Sequence, residues 1–391
     1  MKILLVANYE NDRQESMQRF AGSMSDSLTR AGHTVRTVRP PSFVGRLRPA
    51  GHGIGKWLGY ADKFAIFPPA LKKAVPWADV VHICDHSNAF YTRHLGSVPH
   101  VVTCHDLLAI RSARGETSEP RTRWSGRKLQ QMIANGLLKA QHVACVSDAT
   151  RTDLLRVTGI PEQRVSRIYN SLNYPYSRME TGQSAARLRK LSIEASTPFL
   201  LHVGGNQWYK NRLGVLRIFA SLKQIASLPA LKLVMAGKPW TEEMRDFVAK
   251  AGIAQSTLEL PEVSNEDLRA LYSSARFLLF PSLQEGFGWP IIEAQACGCP
   301  VITSNRVPMT EVGGEAAIYI DPQDSESAAR MIHRSFHNGP SLSESGLRNA
   351  SRFHTGHLIE SYLATYDLVR EESLRAARSI ANRRSAFVHL S

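Results

Sequence analysis

The stretch Phe280-Pro-Ser-Leu-Gln-Glu285-Gly-Phe-Gly-Trp-Pro-Ile-Ile-Glu293-Ala-Gln-Ala-Cys-Gly-Cys-Pro300 decides how the chain is read. An apolar run ends at Phe280, a glycine-containing loop follows, and a helix begins near Trp289 with Pro290 placed in its first turn. A second apolar run then starts at Pro300. Strand, loop, helix and strand in that order form the repeating unit of a parallel sheet covered by helices.

The same alternation extends in both directions. Around the quoted stretch, strands are expected at Phe199–Val203, Leu231–Met235, Arg276–Phe280, Pro300–Thr303 and Ala317–Ile320. Helices are expected at Asn211–Ala226, Thr241–Ala251, Asn265–Ser274, Trp289–Ala296 and Asp324–Phe336. Leu213, Leu216, Phe219 and Leu222 give the first of these helices an apolar stripe that packs on a sheet. The first half repeats the plan, with strands at Lys2–Ala7, Asp79–Ile83, His100–Cys104, His142–Val146 and Val165–Tyr169. Helical stretches at Ser16–Arg30, Trp124–Ala140 and Ser147–Val157 lie between them, Ser147 being a fit N-cap. Two runs of alternation mean an α/β protein with two doubly wound domains, joined through the polar stretch Asn170–Thr197. Ligands of such domains bind outside the carboxyl ends of the strands, so residues in those loops are read first as cleft residues.

A length of 391 residues is enough for two or three domains, each with its own core. Hydrophobic content of 43% and charged content of 21% exclude a wholly disordered chain. No stretch approaches the roughly 18 apolar residues of a membrane span. The opening Met-Lys-Ile-Leu-Leu-Val-Ala run ends at Asn8-Tyr9-Glu10, so a buried first strand is expected there, not a secretory leader. The five cysteines (Cys84, Cys104, Cys145, Cys297, Cys299) make neither a disulfide framework nor a Cys-x-x-Cys site, which points to buried thiols in a reducing cytoplasm. Lys and Arg number 48 against 34 Asp and Glu, a formal net charge of +14. That balance favours an anionic partner without choosing among nucleic acid, a phosphorylated substrate and a membrane surface.

Three junctions carry chemistry. In the quoted stretch the amides of Gly286, Phe287 and Gly288 stand at a helix N-terminus, a site for a phosphate or sugar oxygen. Glu285 in the loop and Glu293 a turn inside the helix can accept hydrogen bonds from sugar hydroxyls at two points of one ligand. The plain alternative is a surface Glu and a helix-start Glu favoured by the dipole. In Leu201-His-Val-Gly204-Gly-Asn-Gln-Trp-Tyr-Lys210-Asn211, Lys210 beside free amides suits a diphosphate whose charge grows as it departs. Alone, it reads as a solvated loop lysine. Val234-Met-Ala-Gly237-Lys238 is a third such junction and adds Lys238. In the first half His105 follows a strand, and His86, in Asp85-His-Ser-Asn88, holds a similar position one strand earlier. Spacing does not rank the two, and a lone strand-end histidine is more often structural.

These residues resemble those of retaining glycosyltransferases of family 4, the glycosyl transferases group 1 class. The resemblance covers nearly the whole chain and is clearest from Phe199 to Pro322. Its most specific element is the E-x7-E pair Glu285 and Glu293 inside a Glu-Gly-Phe-Gly loop. It continues through Glu293-Ala-Gln-Ala-Cys-Gly-Cys-Pro-Val-Ile to Glu311-Val-Gly-Gly, and includes Val-Gly-x5-Lys-Asn at Val203 to Asn211. The resemblance implies a GT-B fold, two Rossmann-like domains facing a central cleft. Residues 1–170 would form the N-terminal acceptor-binding domain and 171–197 a linker. Residues 198–370 would form the nucleotide-sugar domain and 371–391 a basic tail. It further implies that Lys210, with Gly204, Gly205, Arg212 and Lys238, holds a donor diphosphate. Glu285 with the amides of residues 286–288 would contact the donor sugar, Glu293 the ribose hydroxyls, and His105 the transferred sugar. The resemblance also implies no cofactor and no divalent metal, and the sequence offers no Asp-x-Asp motif to hold one. Two departures stand out. The family's arginine five residues before the phosphate lysine is Gly205 here, leaving Arg212 or the loop backbone to take its place. The family's Gly-Gly loop near the acceptor reads Ala7-Asn-Tyr-Glu-Asn-Asp-Arg13.

Arg36 to Lys73 holds eight basic residues (Arg36, Arg39, Arg46, Arg48, Lys56, Lys63, Lys72, Lys73) and one acid, Asp62. Trp57, Tyr60, Phe64 and Phe67 follow helical spacing within it. Such a face rests on an anionic bilayer, binds a lipid-linked acceptor, or packs on its own domain. An arginine-rich tail (Arg370, Arg375, Arg378, Arg383, Arg384) adds to the charge. The expected partners are thus a nucleotide sugar, a glycan or lipid-linked acceptor and an anionic membrane surface, with a cytoplasmic location at its inner face. The alternative is a non-catalytic basic module for nucleic acid or membrane. No nucleic-acid-binding motif accompanies the charge. A dinucleotide-dependent oxidoreductase lacks its G-x-G-x-x-G after the first strand.

Overall fold

The computed structural model describes residues 1–12, 14–44, 54–117, 122–225, 230–336 and 339–388. Among these residues twelve strands form two six-stranded sheets in which every pairing is parallel. The first comprises β1 (Lys2–Val6), β2 (Thr34–Val38), β3 (Val80–Ile83), β4 (His100–Cys104), β5 (His142–Cys145) and β6 (Val165–Arg167), in the order β2-β1-β3-β4-β5-β6. The second comprises β7 (Phe199–Gly204), β8 (Lys232–Gly237), β9 (Thr257–Pro261), β10 (Phe277–Phe280), β11 (Val301–Ser304) and β12 (Ala317–Ile320), in the order β12-β11-β10-β7-β8-β9. The direction of winding reverses between β1 and β3 in one sheet and between β7 and β10 in the other. Those two crevices are where a doubly wound sheet takes its ligand.

Successive side chains point to opposite faces, and burial of both faces makes the inner strands largely apolar. In the first sheet Leu4, Val6, Val81, Ile83, Val102 and Val143 pack with Ile133 and Leu137 of the helix Trp124–Lys139 and Leu154 of the helix Asp148–Thr158. Their neighbours Ile3, Leu5, Val80, Val101 and Ala144 go to the opposite face. There they meet Phe20, Met24 and Leu28 of the helix Glu15–Arg30, and Leu358, Ile359, Tyr362, Tyr366 and Val369. The second sheet packs Leu200, Leu233, Met235, Leu279 and Ile302 against Val215, Phe219 and Leu222 of the helix Arg212–Ile225 and Ile332 of the helix Ser325–Ser335. Ser147 caps its helix as expected, its Oγ accepting from the Thr150 amide at 3.1 Å.

The strands that the sequence reading omits, β2 and β9, are both edge strands. The side chains of β2 are largely exposed and those of β9 half-buried, so neither shows an uninterrupted apolar run. The domain boundaries also differ from the expected ones. The chain divides into Met1–Tyr169 with Thr355–Ser391 as one unit and Asn170–His354 as the other. The stretch expected as a linker contains the helix Thr181–Lys190, whose Leu188 is buried, and it belongs to the second unit. The expected nucleotide-sugar domain ends too late at 370. The helix Thr355–Val388 instead buries Tyr362 and Tyr366 against the first sheet. The residues expected as a tail are the end of that helix, up to Val388.

The aromatic stripe is interrupted by a π-helical segment, Asp62–Ile66, between the helices Ile54–Ala61 and Phe67–Ala74. It runs from solvent into the core: Trp57 is 64% exposed, whereas Phe64 stacks on Phe90 at 4.9 Å and Phe67 is buried against Tyr91. Of the basic residues in that stretch, Lys63 pairs with Asp12 and Arg39 with Glu10, Arg36 lies over the Trp77 ring, and Lys72 and Lys73 are exposed. Arg13, Arg46 and Arg48 lie outside the described residues, as do the side chains of Lys56, Arg383 and Arg384.

Candidate active site

The second unit's crevice is built by the loops after β7 and β10. β7 and β8 run side by side to their last residues, with Gly204 opposite Gly237. A Cβ on Gly237 would stand 2.1 Å from the Gly204 carbonyl oxygen, and its φ of +140° is one that other residues rarely adopt. Glycine there lets the two strand ends close up. The β7 loop then makes a short turn at Trp208–Lys210 and hands over to the helix Arg212–Ile225 through Asn211, whose side chain donates to the Pro281 and Pro322 carbonyls at 3.0 Å. After β10, Gly288 at φ +99° turns the chain into the helix Trp289–Ala296. Phe287 is buried against Trp289 and Phe353, so only its amide can belong to a site.

These loops bring Lys210 and Glu285 together across the crevice. The Lys210 ammonium donates to both Glu285 oxygens, at 2.8 and 3.0 Å, and both side chains are largely buried. Arg212 lies behind them, 4% exposed. One of its nitrogens donates to the Asn206 carboxamide oxygen and to the Lys238 carbonyl at 2.8 Å. Its Nε and Nη2 are buried with no acceptor among the described residues. Burial lowers the pKa of Arg212, with the Glu259 charge opposing. A cation at the first turn of a helix also opposes the macrodipole. An anion bound at that point would satisfy both demands. Lys238 contributes its carbonyl to Arg212, and its side chain is exposed. Gly204 lies over the fully buried His202, whose Nδ1 donates to the Leu279 carbonyl at 3.0 Å. Gly205 faces the Gln207 side chain.

Glu293 is buried, and one of its oxygens accepts from the Tyr272 hydroxyl at 2.9 Å. Burial and the Glu293 charge push the Tyr272 phenol well above its ordinary pKa, so it stays a donor. Sequence reading missed Tyr272, which lies outside the motif it serves, and passed over Asn206 inside the Val203–Asn211 loop, because its partner Arg212 is met only in the folded chain. Lys210, Arg212, Glu285 and Glu293 all belong to the second unit, and His105 belongs to the first. His105 is 4% exposed and its Nε2 lies 3.0 Å from the Cys84 carbonyl. That carbonyl only accepts, so Nε2 carries the proton and Nδ1 is a lone-pair atom. Burial lowers the pKa of His105 although Asp85 opposes the shift, and Phe20 meets the ring edge-on at 4.7 Å.

Residues 17–174 match Glycosyltransferase Family 4, and residues 185–351 match Glycosyl transferases group 1. The chain belongs to the glycosyl transferases group 1 family. This glycosyltransferase is 25% identical over 287 residues to O-antigen chain mannosyltransferase B of Escherichia coli, covering 72% of the chain and 74% of that protein. It is 26% identical to the D-inositol 3-phosphate glycosyltransferase of Thermobifida fusca, over 69% of the chain and 64% of that protein. Its fold matches Anabaena HepE in complex with UDP and glucose, with a TM-score of 0.71 at 15% identity over 94% of this chain and 99% of that one. It also matches WaaG, a glycosyltransferase involved in lipopolysaccharide biosynthesis, with a TM-score of 0.68 at 16% identity and the same coverage. The two-domain GT-B fold follows. Among the described residues no helix is long and apolar enough to cross a membrane.

Proposed function

We propose that this glycosyltransferase moves a sugar from a nucleoside-diphosphate sugar to a glycan or lipid-linked acceptor with retention of configuration, in the synthesis of a cell-surface polysaccharide or glycolipid. The observation that carries the donor reading is the Lys210–Glu285 pair spanning the β7–β10 crevice, with the half-satisfied Arg212 behind it. A diphosphate takes hydrogen bonds from Lys210, from Arg212 and from the amides of residues 286–288. Glu285, released from Lys210, accepts from hydroxyls of the donor sugar. Glu293, held by Tyr272, accepts from the ribose hydroxyls.

As the bond from the anomeric carbon to the diphosphate breaks, negative charge grows on the leaving oxygen. A preorganised ammonium and guanidinium stabilise that charge more than they stabilise the bound substrate. The acceptor hydroxyl enters on the same face and gives its proton to the leaving diphosphate. His105, neutral with Nδ1 as an acceptor, takes a hydroxyl of the transferred sugar. The reading needs no divalent metal. The relatives' names support polysaccharide chemistry, mannosyltransferases of O-antigen chains among them. We place the enzyme in the cytoplasm, with Lys72, Lys73 and the exposed Trp57 available to an anionic membrane face.

A thermal-shift panel of nucleoside diphosphates and their sugar conjugates tests the donor. A ligand at about a hundred times its Kd stabilises by about 2.7 kcal/mol, and the conjugate giving the largest shift names base and sugar. No response to any nucleoside diphosphate would sink the proposal.

A further inference from the structure

Asn211 stands between Lys210 and the first turn of the helix Arg212–Ile225, and its side chain does more than a turn requires. Its φ of +52° is one that glycine adopts freely and asparagine more readily than other residues. The turn alone would be served by either. The carboxamide, however, donates to carbonyls of two other loops, Pro281 just past β10 and Pro322 past β12, each at 3.0 Å. An amide nitrogen carries two hydrogens, so this clamp is saturated.

The seat of the clamp is Gly214. A Cβ there would stand 2.3 Å from Asn211 Oδ1 and 2.4 Å from its Nδ2. Gly214 lies within the helix, where alanine is the better helix former, so the position gives up propensity and leaves room for the Asn211 side chain. From this anchor the two loops of the donor crevice run together. The Leu283 amide donates to the Tyr209 carbonyl at 2.7 Å, and the Lys210 ammonium reaches both Glu285 oxygens. Tyr209, Lys210 and Asn211 thus each hold the segment 281–285 by a separate bond. Of the three, Lys210 is the one that has to exchange its partner for a diphosphate.

We propose that Asn211 is a positioning residue: its carboxamide, seated on Gly214 and fastened to Pro281 and Pro322, sets the Lys210 ammonium against Glu285 and against the diphosphate that replaces it. Lysine carries its charge on a flexible four-carbon stem, so the placing of its backbone decides where the ammonium reaches. The proposal rests on the transferase reading for the diphosphate, and on the second unit alone for the fastening.

Two variants test it from opposite sides. Asn211→Gly keeps the turn and removes the clamp. Gly214→Ala keeps Asn211, favours the helix and drives the carboxamide from its seat. Binding of UDP, GDP and ADP is measured by calorimetry on the full chain, for the wild type, for each variant, and for each variant combined with Lys210→Ala. Each single variant is expected to weaken the tightest of these ligands by about tenfold, and to add nothing once Lys210 is replaced. A merely structural role would weaken binding equally in both backgrounds. That result overturns the proposal, as does unchanged binding in either single variant. Lys210 is also followed without ligand, by nitrogen NMR of its ammonium, assigned through Lys210→Met. In the wild type Glu285 is expected to protect that signal from solvent exchange, and both variants to lose the protection. Protection retained in either overturns the proposal. Should Asn211→Gly fail to fold, Gly214→Ala decides by itself. If none of the nucleotides binds the wild type, the donor reading fails, and the Lys210 signal still decides for or against Asn211.

Discussion

Lys210 shows how much of the site rests on single atoms. Its ammonium is already shared by both oxygens of Glu285, so a bound diphosphate has to compete for it. Lys210→Ala removes a charge-assisted hydrogen bond and is expected to lower kcat by about 10- to 150-fold, a loss of about 1.5–3 kcal/mol. Steady-state turnover on the donor named by the thermal-shift panel checks it. Arg212 should behave differently. Two of its nitrogens have no acceptor among the described residues, so little folding stability depends on them. Arg212→Met is expected to keep the melting temperature within about 2–4 °C, roughly 1 kcal/mol at this domain size. The stabilisation by nucleoside diphosphate, however, should be lost. A collapse of the ligand-free fold would show that the guanidinium is structural.

At the scale of elements, the C-terminal helix is fastened by a buried polar chain. His82 on β3 meets the Tyr366 hydroxyl through Nδ1 and the Thr103 hydroxyl through Nε2, each at 2.7 Å, and Thr103 meets Tyr362 at 2.6 Å. Burial, helped by the neighbouring His105, pushes the His82 pKa down to about 3. A histidine depressed in the fold takes up its proton more readily when unfolded. Its stabilisation is therefore complete above about pH 6.5 and is lost as pH falls from there toward 3, at up to about 1.4 kcal/mol per pH unit. Hydrogen exchange is expected to show the helix Thr355–Val388 loosening across that window. Tyr366→Phe, which removes a partner of a buried nitrogen, should cost about 1–3 kcal/mol there at neutral pH. A simpler element test is Ser147→Ala, expected to cost about 1 kcal/mol through the lost cap.

For the whole molecule, the chain's return to its first unit matters most. Leu358, Ile359, Tyr362, Tyr366 and Val369 cover one face of the first sheet, so truncation after His354 should expose that face and yield aggregated protein. Size-exclusion chromatography of the truncated chain is the check, and a monodisperse product would contradict it. The proposed mechanism needs no divalent metal, and that belongs to the whole enzyme as a test. Exhaustive chelation is expected to leave turnover unchanged, and recovery only on adding a divalent ion would refute that part of the proposed mechanism.

The sequence by itself determined the buried strands, the helices between them and the loops where chemistry sits. Apolar periodicity, glycine and capping residues act within a few positions of one another, and Phe277–Phe280 followed by the helix Trp289–Ala296 is legible on those terms alone. It also determined the family, because the Glu285–Glu293 spacing is local. The tertiary structure decided what depends on distant partners. Edge strands β2 and β9 gain their form from one neighbour each and carry no apolar run to announce it. The tie between Asn8 and Asp85 joins residues 77 positions apart, and that between Tyr366 and His82 spans 284. That His105 is spent on the Cys84 carbonyl, 21 positions away, is likewise set by atoms brought together only when the sheet closes.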